Sequence, residues 1–370
     1  MEQPTVLFCH AGRTGGDTLN RVLKVAYHPY ASQHYDTANA AWPFLRSAPP
    51  EALERIKCFY GHGVYFGFHS FLHSPTTYIT LVRNPVKRIV SQYYCYLHDP
   101  NRGMHQYITE NNISLEQYQN EARNEQAHYI LGFPHYRLTR PSIQDLPSLF
   151  ENIQNHFSFV GVTERYNESI YMLHKKLGWK QWRFWKKTLA NPLRPELEEL
   201  PSSLLEEIAE NNELDMALHK YASDRLEKEL SSLSQVESDE LLEYIEAQEC
   251  YTTLLSHCPK EVRPSFCGLL LQKRHLKISC LCFLPEAAAA LGHFSHMVNT
   301  FPGREIIWEN ILYKSPYDLV TVFNHPIARD QFEHSDFIVM INHPGQEYLA
   351  LEHLHTLGIP QDRIFFPLKA

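Results

Sequence analysis

The chain has 370 residues, 44% of them hydrophobic and 12% aromatic, enough for a sizeable core and better suited to two domains than one. Lys and Arg number 34 against 42 Asp and Glu, a formal net charge of -8, which speaks against nonspecific nucleic-acid binding and polybasic membrane binding, so any anion site must be local. The start MEQPTVLFCH carries no basic leader pattern, no apolar run reaches the roughly 20 residues of a membrane span, and the eight cysteines form no CxxC pair. These features predict a cytoplasmic chain with reduced, mostly buried thiols.

In chain order, the first two hundred or so residues alternate apolar strands with helices. VLFCH leads to a helix from Thr18, KCFYGH follows, YITLV leads to a helix from Pro85, and FSFVGVTE leads to a helix from Tyr166. Strands that are apolar throughout and each followed by a helix predict a parallel sheet covered on both faces, an α/β domain over about residues 1–230. From about Leu197 to Ala247 the sequence turns to Glu, Leu, Ser and Lys with helical periodicity, giving closing helices and a helical linker over 231–261. Strand and helix signals then resume with KISCLCF, EAAAALGHFSHMV, REIIWENI, YDLVTVF, DFIVMI, GQEYLALEHLHTLGI and RIFFPL. They predict a smaller Rossmann-like α/β domain over 262–370. It carries no GxGxxG, which argues against dinucleotide binding and leaves its role open.

Three stretches carry chemistry. In VLFCHAGRTGGDTL a strand runs into Gly15 and Gly16 and then into a helix near Thr18, a backbone shape that wraps an anion with its own N–H groups. On its own the glycine pair reads equally well as a tight turn. In TYITLVRNPVKRIVSQYY, Arg83 ends a strand, Pro85 suits the first helical position, and Arg88 and Ser91 share a helix face. Two guanidiniums, a hydroxyl and a helix start are thereby expected to converge at the carboxyl edge of the sheet, where open α/β folds bind ligands. In FYGHGVYFGFH, His62 follows a strand at the same edge and is the candidate general base. His62, His69 and His73 match no trusted metal-ligand spacing. Trp179, Trp182 and Trp185 read as packing or as stacking surfaces for sugar rings.

These stretches resemble the sulfotransferases that use 3′-phosphoadenosine 5′-phosphosulfate. HAGRTGGDTL is similar to their HxPKTGGTS loop, LVRNPVKRIVS to LRDPVERxxS, and GHGVYFGFH to the GHxxFG of the heparan sulfate 2-O-sulfotransferase-like branch. SLEQY, NEQAHYILG, FVGVTERYNESIYML and LDMALHKYA follow in order over roughly residues 4–230. The resemblance implies a P-loop-like sulfotransferase fold over 1–230. It places Arg13, Thr14, Gly15, Gly16, Asp17 and Thr18 around the 5′-phosphosulfate, Arg83 and Ser91 on the 3′-phosphate, and Thr163 near the nucleotide. It further implies that His62 is the base, Arg13 stabilises the leaving group, the acceptor is a carbohydrate or glycoconjugate hydroxyl, and no metal, nucleic acid or membrane span is involved.

The chain departs from that pattern at Arg13 for Lys, Asp17 for Thr, Asn84 for Asp, and Tyr60 where the heparan sulfate enzyme has a second His. An acid beside a phosphosulfate is unfavourable unless Arg13 or Arg88 neutralises it. A degenerate nucleotide- or glycan-binding protein is the alternative these changes suggest. A P-loop kinase is disfavoured, since GxxxxGK[ST] is missing.

Overall fold

A computed structural model of the chain describes residues 3–27, 31–132, 140–186, 193–258, 264–282, 296–313, 334–341, 359–360, 363–365 and 367. Contacts divide the chain into two units, Met1–Leu241 and Leu242–Ala370. The division falls inside the helix Gln235–Ser256, within the stretch read as a linker.

In the first unit, β1 (Thr5–Cys9), β2 (Ser32–His34), β3 (Cys58–Gly61), β4 (Thr76–Val82) and β5 (Phe157–Val162) form one sheet in the order β2-β3-β1-β4-β5. Every pairing is parallel, with Leu7 opposite Phe59 on one side and Tyr78 on the other. β1 is buried along its whole length, which explains why it reads as an unbroken apolar run rather than an alternation. The fold is thus the expected α/β arrangement of a parallel sheet flanked by helices. The short, polar edge strand β2 and the helix Ala38–Ser47, which contains Pro43, are additions to it.

The strand order reverses at β1: β2 and β3 lie on one side of it, β4 and β5 on the other. The segments leaving β1 and β4 therefore diverge, and a crevice opens at their carboxyl ends. The helix Pro85–His98 starts there, with Asn84 Oδ1 accepting from the Lys87 amide at 3.2 Å. Its apolar face, with Val86, Ile89, Val90 and Tyr93, packs on Ile108, Leu115, Tyr118, Leu204 and Ile208. This packing fixes the direction in which its N-terminus points.

The second unit holds β6 (His275–Cys282), β7 (Glu305–Tyr313), β8 (Phe337–Ile341) and β9 (Ile364–Phe365), all parallel in the order β7-β6-β8-β9. The predicted strand YDLVTVF and most of the helices EAAAALGHFSHMV and GQEYLALEHLHTLGI lie outside the described residues. Among the described residues no helix is long and apolar enough to cross a membrane.

Candidate active site

The loop between β1 and the helix Gly16–Ala26 is shaped by its glycines. Gly15 sits at φ 82°, and a Cβ there would come within 2.8 Å of the Tyr166 ring. A Cβ on Gly16 would lie 1.9 Å from the His10 ring, so only glycine allows this approach. The helix has no side-chain cap; the Thr18 amide donates to the Gly15 carbonyl at 3.1 Å, and the Gly16 and Asp17 amides with the positive end of the dipole stand towards a ligand. Arg13 adopts the left-handed region at φ 65°, a conformation that costs a non-glycine about 1–2 kcal/mol.

Arg83 leaves the end of β4 with its main chain clamped by Gln126. Its amide donates to Oε1 at 2.7 Å, and its carbonyl accepts from Nε2 at 2.9 Å. The guanidinium donates from Nη1 to the Arg13 carbonyl at 3.0 Å. Burial, with Arg194 and Arg13 also nearby, pulls the Arg83 pKa down to about 10 in spite of Glu164. A cation crowded in this way is stabilised by an arriving anion.

Arg13 and Arg83, the turn Gly15–Thr18, and Thr163 line one cavity of about 470 Å³, within the size range of nucleotide sites. Thr14 and Ser91 sit behind this wall, both buried. Thr14 Oγ1 donates to the Ala11 carbonyl at 2.9 Å, and Ser91 Oγ accepts from Arg13 Nε at 3.2 Å. The Thr163 hydroxyl lies 2.6 Å from the Thr14 carbonyl and 2.9 Å from that of Val82, binding the end of β5 to the loop.

Lys87, Tyr166, Trp185 and Arg194 also line this cavity, and sequence reasoning did not assign them to it. Tyr166 donates its hydroxyl to the Gly15 carbonyl at 3.0 Å, and its ring lies 4.5 Å from that of Trp185. Position in the chain offered no signal for Arg194. Trp185 belonged to the aromatic cluster already singled out.

Arg88 corrects the sequence reading. Its side chain is fully buried and donates to Glu125 at 2.7 Å, to Gln92 at 2.9 Å and to the Ala122 carbonyl at 2.9 Å. It is part of the core behind the site and does not line the cavity.

A second cavity of about 220 Å³ shares Arg13 and Asp17 with the first and contains His62. His62 Nδ1 lies 2.9 Å from the His10 carbonyl. A carbonyl can only accept, so Nδ1 is the donor, and in the neutral ring Nε2 is then the acceptor nitrogen. The His62 ring stacks on that of His10, centroids 4.0 Å apart. Burial, then the neighbouring His62 and His34, holds the His10 pKa well below its usual value, which keeps that ring neutral. Tyr60, two residues before His62, is buried, and the imidazole beside His62 is that of His10, which follows β1.

His10, Asp17 and His62 each offer a ligand atom, all within 4.8 Å of one another, so these described residues could hold a metal ion. His69 turns elsewhere, its Nδ1 meeting the Tyr78 hydroxyl at 3.0 Å. Asp17 stands in the first turn of its helix, where the dipole favours an acid, and its charge also acts on Arg102.

No curated protein matches the chain. The family model described as Sulfotransferase family matches residues 2–222, a span that contains the five described strands of the first sheet and the described residues lining the two cavities. With more than half of the chain matched, the protein belongs to the sulfotransferase family and is an enzyme of sulfuryl transfer.

Proposed function

We propose that the larger cavity binds 3′-phosphoadenosine 5′-phosphosulfate and that the smaller one presents the hydroxyl of a carbohydrate or glycoconjugate to His62. The observation that carries this reading is the meeting of the two cavities at Arg13 and Asp17, with His62 on the acceptor side only. The uncapped turn at Gly15–Thr18 and Arg13 receive the 5′-phosphosulfate, and Arg83 meets the 3′-phosphate with Ser91 behind it. Tyr166 and Trp185 offer ring faces to the adenine.

The acceptor oxygen attacks sulfur in line, the S–O bond to the 5′-phosphate breaks, and the acceptor proton passes to His62 Nε2. Charge develops on the departing 3′,5′-adenosine bisphosphate, where Arg13 and the loop amides stabilise it. This chemistry asks for positioning and fixed charge rather than for a covalent intermediate. The thiols of Cys9, Cys58, Cys95, Cys250, Cys258 and Cys267, none of them in a disulfide, fit a reducing, cytoplasmic setting.

Calorimetric titration with 3′,5′-adenosine bisphosphate and with 5′-AMP tests the donor assignment. The wild type is expected to prefer the bisphosphate by about a hundredfold, since a buried guanidinium left without its phosphate is poorly paired. Arg83→Ala should erase the preference, and His62→Ala should keep bisphosphate affinity while abolishing turnover. Equal affinity for the two nucleotides in the wild type would refute the donor reading.

A further inference from the structure

The smaller cavity differs in charge from what a polyanionic acceptor such as a sulfated glycan would need. Four carboxylates, Asp17, Asp36, Glu121 and Glu125, line it against Arg13 and Arg102. Most of the compensation is already committed. Glu125 is paired with Arg88 behind the wall at 2.7 Å. Arg102 is held by Asp99 at 3.0 Å, and Arg13 faces the donor cavity as well. Glu121 accepts a hydrogen bond from the Tyr107 hydroxyl at 2.9 Å, which leaves its charge in place. Asp36 is 83% exposed, with His34 at 3.6 Å. Once a phosphosulfate occupies Arg13, the carboxylates of Asp17, Asp36 and Glu121 are left with Arg102, shared with Asp99, as the cation among the described lining residues.

Resting on the donor and base assignment above, we infer that the acceptor is a compact, amine-bearing hydroxyl compound of the amino-sugar type, its ammonium near Asp17, Asp36 and Glu121 and its hydroxyl at His62. The acidic side chains do not stand alone in this argument. They line a cavity that His62 also lines and that shares Arg13 and Asp17 with the donor cavity, so whatever is sulfated enters their field. A second anion there would be repelled by both the carboxylates and the bound donor, a penalty that such juxtapositions make large. An ammonium is attracted by both. The small volume suits a single ring with its neighbours outside.

The test uses the full chain saturated with 3′,5′-adenosine bisphosphate and three matched probes: methyl glucosaminide, methyl glucoside and methyl glucuronide. Titrations by NMR at about pH 6.5 keep the amine protonated. The expected order is cationic, then neutral, then anionic, with on the order of tenfold between the extremes. Glu121→Gln and Asp36→Asn should each weaken the glucosaminide about threefold and leave the glucoside unaffected. A response indifferent to charge, tightest binding by the glucuronide, or no binding of any probe would overturn the inference. The bisphosphate titration is read separately, so a protein that fails to bind bisphosphate but still ranks the sugars by charge would refute the donor assignment and not the acceptor one.

Discussion

His10 shows how a residue to which the sequence reading gave no role comes to matter, although it opens the HAGRTGGDTL loop. It closes β1 and is buried to 1% exposure. It lies so close to Gly16 that no Cβ fits between them, while its carbonyl fixes the proton of His62. From the sequence, His10 was one of 22 histidines, and only the packing of β3 beside β1 brings it under His62. Its burial has a consequence for pH. The folded-state pKa is depressed below the usual 6.5, so below pH 6.5 the unfolded chain binds a proton that the folded one refuses, and stability falls as pH drops towards the folded value. Within that window the group contributes a slope of about 1.4 kcal/mol per pH unit. His10→Phe keeps a ring against His62 and cannot take the proton. Denaturant unfolding followed from pH 7 to pH 5 should therefore show a shallower loss in the variant than in the wild type. Parallel curves would mean that His10 is protonated in the fold at no cost.

At the scale of elements, the helix Pro85–His98 separates what periodicity could reveal from what it could not. Its start at Pro85 and the place of Arg83 at the strand end follow from local chemistry and were legible, while the Asn84 cap emerges only in the structure. The facing of Arg88 was not, because i, i+3 spacing puts Arg88 and Ser91 on one side of a helix without saying what lies against it. What lies there is Glu125, with Asp215 close behind, itself accepting from the Ala127 amide at 2.8 Å and the Gln126 amide at 3.1 Å. It is Asp215, not Arg88, that holds Gln126 and through it the Arg83 backbone. Arg88→Met leaves Glu125 without its cation and should cost about 3 kcal/mol of stability, with bisphosphate affinity of the folded protein changing by less than about threefold. Arg83→Ala should do the reverse, losing affinity at nearly unchanged stability. Melting and calorimetry on both variants decide the matter. An Arg88→Met protein of normal stability that no longer binds bisphosphate would return Arg88 to the site.

At the scale of the whole molecule, the two sheets had unequal signals. Four strands of the first could be read because each is an apolar run, and three of them lead to residues the sequence marked for chemistry: His62, Arg83 and Thr163. The second carries no GxGxxG and resembles no motif set, which is why the sequence predicts an α/β unit there and leaves its role open. The described residues lining both cavities lie between His10 and Glu198, inside the unit Met1–Leu241. The first turns of the helix Gln235–Ser256 stay with that unit, since the Glu237 carbonyl accepts from the Tyr171 hydroxyl at 3.0 Å and Lys175 pairs with Glu237. The buried residues of that helix, Tyr244, Ala247, Gln248, Tyr251 and Leu254, all follow the division. A chain ending at Leu241 thus keeps both cavities and exposes none of those five side chains. It is expected to fold, to bind 3′,5′-adenosine bisphosphate within about threefold of the full chain, and to keep the same ranking of the three sugar probes. If it folds, shown by a cooperative melt, yet loses bisphosphate or the sugar ranking, residues 242–370 take part in recognition, and the site is not confined to the first unit.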